Sequence, residues 1–188
     1  MNTTTSARMP RRGVVVSLAA VCALAALPVA ATASSAAAAP YCGITWGSLP
    51  KAAGPMVAGP VTNVRAGRHD CYDRLVIDLK GTAPGYDVRY VGAVHSQGQG
   101  AVVPLRGGAA LQVLTKAPAY GPGAYQPANA KELVNVTGYQ TFRQVASAGS
   151  FEGLTTVGLG VRARLPFRAF TLSDGSGSRL VIDVAHRW

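Results

Sequence analysis

Three histidines, His69, His95 and His186, are the side chains best suited to proton transfer or metal ligation in this chain. They stand 26 and 91 residues apart, and none belongs to a His-x-x-Glu-His or Cys-x-x-Cys spacing that would set ligands on one element. A zinc amidase site gathered from distant residues would want His and Glu ligands, and Glu132 and Glu152 are the only glutamates. No Gly-x-Ser-x-Gly elbow, phosphate loop or Ser-His-Gly-x-Cys stretch is present. Glycoside hydrolysis needs paired carboxylates in a cleft, and eight acidic residues in the whole chain supply them poorly. The sequence therefore predicts no catalytic residue, no metal and no cofactor.

Arginine is the better lead. Of 18 basic residues, Arg8, Arg11 and Arg12 precede a long apolar run, and fifteen follow it against eight acids, a net charge of +7. Eleven of those fifteen are arginines, whose planar guanidinium favours bidentate contact with carboxylate or phosphate. Arg65, Arg68 and Arg74 cluster in one stretch, and Arg162, Arg164 and Arg168 in another. Arg162 and Arg164 are read on one strand face, which Gly158 and Gly160 would leave flat and open. Tyr72 and Tyr90 would stand near these clusters as stacking surfaces for sugar rings. The competing reading is solubility alone, since a net positive charge needs no specific partner. Nucleic acid is a poor fit, because no recognition helix or aromatic-basic motif appears.

The first 39 residues read as an export signal. Arg8, Arg11 and Arg12 form a positive start, Val14 to Ala30 is an apolar run, and Ala31-Thr32-Ala33 and the alanines after it offer cleavage sites. A retained anchor is the rival, at the short edge for a spanning helix. Twin-arginine export is only hinted at by Arg11-Arg12, and no second membrane segment follows. After cleavage Cys42 and Cys71 are the two remaining cysteines, and in an exported protein they most simply form one disulfide. The alternative, Cys71 as a nucleophile beside His69, would strand Cys42.

Strands would carry these side chains. Val157, Leu159, Val161, Ala163 and Leu165 alternate with Gly158, Gly160, Arg162 and Arg164, a period of two. Leu75, Ile77 and Leu79 alternate likewise, as do Leu180, Ile182 and Val184. Weaker strands are read at Val61 to Arg65, Tyr86 to Val91, Leu111 to Leu114 and Phe167 to Leu172. Asp174-Gly175-Ser176-Gly177 reads as the turn of a closing hairpin. Pro118 to Pro127 reads as an exposed loop or linker, and Leu133 to Phe151 either contains a short helix around Thr141 to Ala148, with Phe142 and Val145 inward, or is a long ordered loop. The fold class expected is all-β, a single sandwich-like domain over residues 40–188.

Arg74-Leu75-Val76-Ile77-Asp78 recurs as Arg179-Leu180-Val181-Ile182-Asp183, which suggests two halves of similar build. The outward Arg and Asp of each copy would pair with neighbouring strands. The stretch Val64 to Leu79, the stretch Gly158 to Arg168 and the closing Arg179 to Trp188 together resemble the AMIN-like domain of secreted actinobacterial proteins. The resemblance covers Cys42 to Trp188 and implies a β-sandwich. It is similar to AMIN domains, which target amidases or secretins to the cell wall, although no such companion domain accompanies it here.

The functional expectation is a secreted or wall-associated, non-catalytic binding module contacting peptidoglycan or another anionic envelope polymer. Arg65, Arg68, Tyr72, Arg74, Arg162, Arg164 and Arg168 are its candidate contacts. Alternatives are a module that binds another envelope protein through sheet edges or the Gly/Pro loop, and an unrecognised wall hydrolase.

Overall fold

The alternating residues build two antiparallel sheets whose inner faces share one core. The computed structural model describes residues 39–188. The export signal expected over residues 1–39, with its expected cleavage site, lies outside the described residues except for Ala39. Eleven strands follow a 3-10 turn at Tyr41–Gly43. They are β1 (Lys51–Ala53), β2 (Val61–Arg68), β3 (Tyr72–Lys80), β4 (Gly85–Val91), β5 (Val94–His95), β6 (Val102–Val103), β7 (Ala109–Lys116), β8 (Phe142–Phe151), β9 (Leu154–Val161), β10 (Phe167–Ser173) and β11 (Gly177–Ala185). One sheet runs β1-β4-β7-β9-β8, a second β10-β11-β3-β2, and β5 with β6 forms a small ribbon. Leu75, Ile77, Leu180 and Ile182 of the second sheet meet Leu111, Val113, Val157 and Leu159 of the first in a single buried cluster. No helix among the described residues is long and apolar enough to cross a membrane.

The repeated pentapeptides lie side by side at the centre of one sheet, each on the inner strand of a hairpin, β2-β3 and β10-β11. β3 and β11 are antiparallel with Arg74 opposite Asp183, Val76 opposite Val181 and Asp78 opposite Arg179. A sequence that begins with Arg and ends with Asp complements its own antiparallel copy, so opposite charges face each other at both ends of the pairing. The closing hairpin forms as expected. Asp174 accepts hydrogen bonds from the Ser176 and Gly177 amides, and these with the Ser176 hydroxyl lower its pKa.

Three expectations fail. The short helix at Thr141 to Ala148 is strand β8. A register shift between Phe142 and Gln144 inserts an extra residue, so Phe142 and Val145 both face the core at a spacing that imitates a helix. The strand over 157–165 ends at Val161, where its pairing partners on both sides also end. Residues 162–166 form an arch carrying the chain from the first sheet to β10 in the second. The arch places Arg162 and Arg164 off any strand face.

Finally, the face bearing Gly158 and Gly160 is not open. A Cβ on Gly158 would lie 3.0 Å from the Leu105 side chain, and one on Gly160 would collide with the Arg106 carbonyl oxygen. The glycines serve close approach of the 103–106 segment, which covers this face of the sheet. Gly160→Ala is expected to cost about 1–3 kcal/mol through overpacking. A thermal unfolding midpoint equal to that of the parent would mean the segment lifts freely.

Candidate functional site

On the outer face of the second sheet, β10, β11, β3 and β2 align Arg168, Asp183, Arg74 and Gly67 in one row. The Asp183 carboxylate is fully buried and accepts two hydrogen bonds from Arg74, at 2.6 and 2.9 Å, and one from Arg168 at 2.8 Å. These bonds raise the pKa of Arg74 against the lowering effect of its burial. Arg65 is bidentate to Asp78, at 2.8 and 2.9 Å. Three of the candidate arginines are thus paired with carboxylates, Arg65 with Asp78 and Arg74 and Arg168 together with Asp183, as the pairing of the repeated Arg and Asp anticipates.

Aromatic rings gather on that row. The Arg168 guanidinium lies 4.5 Å from the Trp46 ring centre and 5.0 Å from Phe170. Arg74 lies 5.3 Å from Tyr72, whose ring meets Trp46 edge to face and stacks on His69 at 4.5 Å. Arg74 and Arg168 keep 26% and 40% of their side-chain surface exposed. Trp46 was missed in the sequence because nothing near it forms a motif. Its placement follows from the Cys42–Cys71 disulfide, which holds the arm before β1 against the start of β3. The same bond consumes Cys71 and removes it as a nucleophile.

The other candidates meet elsewhere, at the end of the sandwich around residues 186–188. Arg162 donates to the His186 carbonyl. Arg164 donates to the Ser48 carbonyl and hydroxyl, both at 3.1 Å, while Trp188 donates to the Arg164 carbonyl. Arg68 donates to the Gly138 carbonyl and shares a cleft of about 480 Å³ with His69, Asp70, Asp73, Gln140 and His186. Arg187, which the sequence reading did not single out, lies over the Tyr41 ring at 5.5 Å. None of these four arginines has a carboxylate partner among the described residues. Unlike the arginines of the row, which share the Asp183 carboxylate, those at this end meet no carboxylate at contact distance.

Tyr90 is not a free stacking surface. Its hydroxyl donates to the Leu165 carbonyl at 2.9 Å and accepts from the Leu165 amide at 3.0 Å. Burial raises its pKa, opposed by the Leu165 hydrogen bond and by Arg164. It braces the arch instead.

Below the cleft sits a buried polar tie. Asp73 accepts from the Thr141 and Phe142 amides at 2.6 and 3.0 Å, and faces His186 Nε2 at 3.2 Å. Among the described residues no three His, Cys, Asp or Glu side chains are grouped to hold a metal ion.

A model of the AMIN-like domain family matches residues 59–186, more than half of the chain. No curated protein and no solved structure matches it. Domains of this family are of a non-catalytic, binding type related to the cell envelope. The match takes in both Arg-Leu-Val-Ile-Asp strands and the arch between the sheets, and the chain belongs to the AMIN-like domain family.

Proposed function

We propose that this domain is a secreted or wall-associated module that binds peptidoglycan or another anionic polymer of the cell envelope. The end of the sandwich bearing Arg68, Arg162, Arg164 and Arg187 supplies the charged contact. The observation that carries this reading is the split among the arginines. Arg65, Arg74 and Arg168 are answered by Asp78 and Asp183. The four at the end bond only carbonyls, a hydroxyl or a ring. A guanidinium in that state keeps donors for phosphate or carboxylate. The carboxylate-paired row, with Tyr72 and Trp46 beside it, serves as an amphipathic surface for the sugar portion of the polymer.

Oxidised protein is incubated with isolated sacculi, with and without their attached anionic polymers, and pelleted across a salt series. Pelleting should require the polymers and weaken as salt screens the contact. Changing Arg68, Arg162, Arg164 and Arg187 together to Gln should weaken binding at low salt by roughly tenfold or more, about 1.4 kcal/mol, and flatten the salt dependence. The Arg65→Gln protein should bind like the parent. Protein that stays in the supernatant at every salt concentration would refute wall binding and favour a protein partner of the envelope.

A further inference from the structure

The polar cleft of about 480 Å³ lies between the turn of the β2–β3 hairpin and the 138–140 segment. Both walls are fixed by the chain around them. The turn is closed by the His69 amide donating to the Tyr72 carbonyl at 3.0 Å. Its tip is fastened by the Cys42–Cys71 disulfide and by the His186 amide, which donates to the Cys71 carbonyl at 3.0 Å. The His69 ring is stacked on Tyr72. The facing segment is held by Arg143, which donates to the Tyr139 and Gln140 carbonyls at 3.1 and 3.3 Å, and by the Thr141 amide on Asp73. Walls set before a ligand arrives leave little backbone ordering to oppose its binding.

The floor, Asp73 and His186, is buried, and the Asp73 carboxylate already accepts from two amides and faces His186. The charges within reach of a ligand are on the hairpin wall. Arg68 and Asp70 are both exposed and both line the cleft. Neither joins an ion pair among the described residues, with the other or with any third residue. Arg68 makes one bond, at 3.3 Å, to the Gly138 carbonyl, and the Tyr41 hydroxyl reaches Asp70 only at its main-chain carbonyl. By contrast Asp78, Asp87, Glu132, Asp174 and Asp183 each meet an arginine. A plain anion at Arg68 would be repelled by Asp70, and a plain cation at Asp70 by Arg68. A ligand carrying both charges answers the two at once.

We propose that this cleft binds the dipolar head of an amino acid, with its carboxylate on Arg68 and its ammonium on Asp70. Gln140 and His69, both exposed in the lining, supply the further hydrogen bonds. The inference deepens the reading of the arginine end, on which it rests for the role of Arg68, by adding an acidic group that a plain anionic polymer would avoid.

Alanine, propionate and ethylamine are titrated at neutral pH into isotopically labelled oxidised protein, free of wall polymer, while amide resonances are followed. Alanine should bind saturably, with a dissociation constant on the order of 1–10 mM, and shift the amides of His69, Asp70, Gly138 and Gln140. Propionate and ethylamine should each bind roughly fivefold more weakly, having lost one exposed ion pair. Arg68→Gln and Asp70→Asn should weaken alanine binding to a similar extent. Soluble wall peptides with free amino groups are then compared with the same peptides after N-acetylation. Shifts that acetylation abolishes place the head on the wall, and shifts with alanine alone place it in a free amino acid. The Asp70→Asn protein should pellet with sacculi at least as well as the parent, because it has lost no cation. Protein that binds alanine but never pellets would refute the polymer contact and leave the cleft standing. The cleft proposal is overturned if alanine causes no saturable shift, if its shifts map elsewhere, if propionate or ethylamine binds equally, if both folded variants bind alanine as the parent does, or if acetylated peptides bind as well as free ones.

Discussion

Asp73→Ala is expected to lower the stability of the domain by about 3–5 kcal/mol, the usual cost of removing one partner from a buried charged network. Asp73 sits in β3 of the four-stranded sheet, fully buried, yet two of its hydrogen bonds go to the amides that start β8 in the other sheet. His186, 2% exposed, closes the group from the residue after β11. One carboxylate therefore ties three strands from both sheets at one end of the sandwich. Alanine leaves two buried N–H groups without acceptors, each costing about 1–3 kcal/mol, and leaves His186 Nε2 facing a void. Asp73→Asn keeps one carbonyl acceptor at nearly the same volume and should fall between the two. Urea unfolding followed by circular dichroism measures both. An alanine protein within about 1 kcal/mol of the parent would show that the amides find other acceptors and that the tie is not needed.

Breaking the Cys42–Cys71 disulfide should have an effect nearly as large. Its half-cystines are 29 residues apart, and in the chain-entropy model a loop of that length stabilises by about 3–4 kcal/mol. The bond also does local work. Tyr41 to Ser48 has no strand pairing, and its contacts to the body include the Gly47 carbonyl to Phe167, Ser48 to Arg164, and Trp46 on Tyr72 and Arg168. Without the bond, that arm has only weak non-covalent contacts of this kind to oppose its conformational entropy. The Cys42→Ser/Cys71→Ser protein should unfold at lower urea, and in the folded state its tryptophan emission should shift to the red. Trp188, 67% exposed, contributes a background already close to that of water. Emission and midpoint both unchanged would mean that the arm is held without the disulfide.

Much of the frame was legible in the chain. Alternation at Leu75-Ile77-Leu79 and at Leu180-Ile182-Val184 predicts which residues meet the core, because successive side chains on a strand point to opposite faces whatever the partner strand is. The turn at Asp174 was equally legible, since Asp and Gly carry that geometry within four residues. The misreadings have local causes. The bulge in β8 puts Phe142 and Val145 three apart on one face, which the period of a helix also does. The run from Val157 to Leu165 keeps its alternation past the point where pairing stops, and no local signal marks the arch except Pro166. Gly158 and Gly160 look like a bare surface in a list of residues, and only the 103–106 segment, far away in sequence, shows them to be a packing contact.

The sequence by itself determined the all-β class, the core-facing residues of the main strands, the pairing of Cys42 with Cys71 and the family resemblance. Each depends on short-range periodicity or on a count small enough to leave one simple answer. Only the tertiary structure decided which arginines are free. A guanidinium is neutralised or not according to the register of strands more than a hundred residues apart, as with Arg74 and Asp183. The same long-range register brings Arg68, Arg162, Arg164 and Arg187 to one end from three separate stretches of chain, and no spacing in the sequence encodes that meeting.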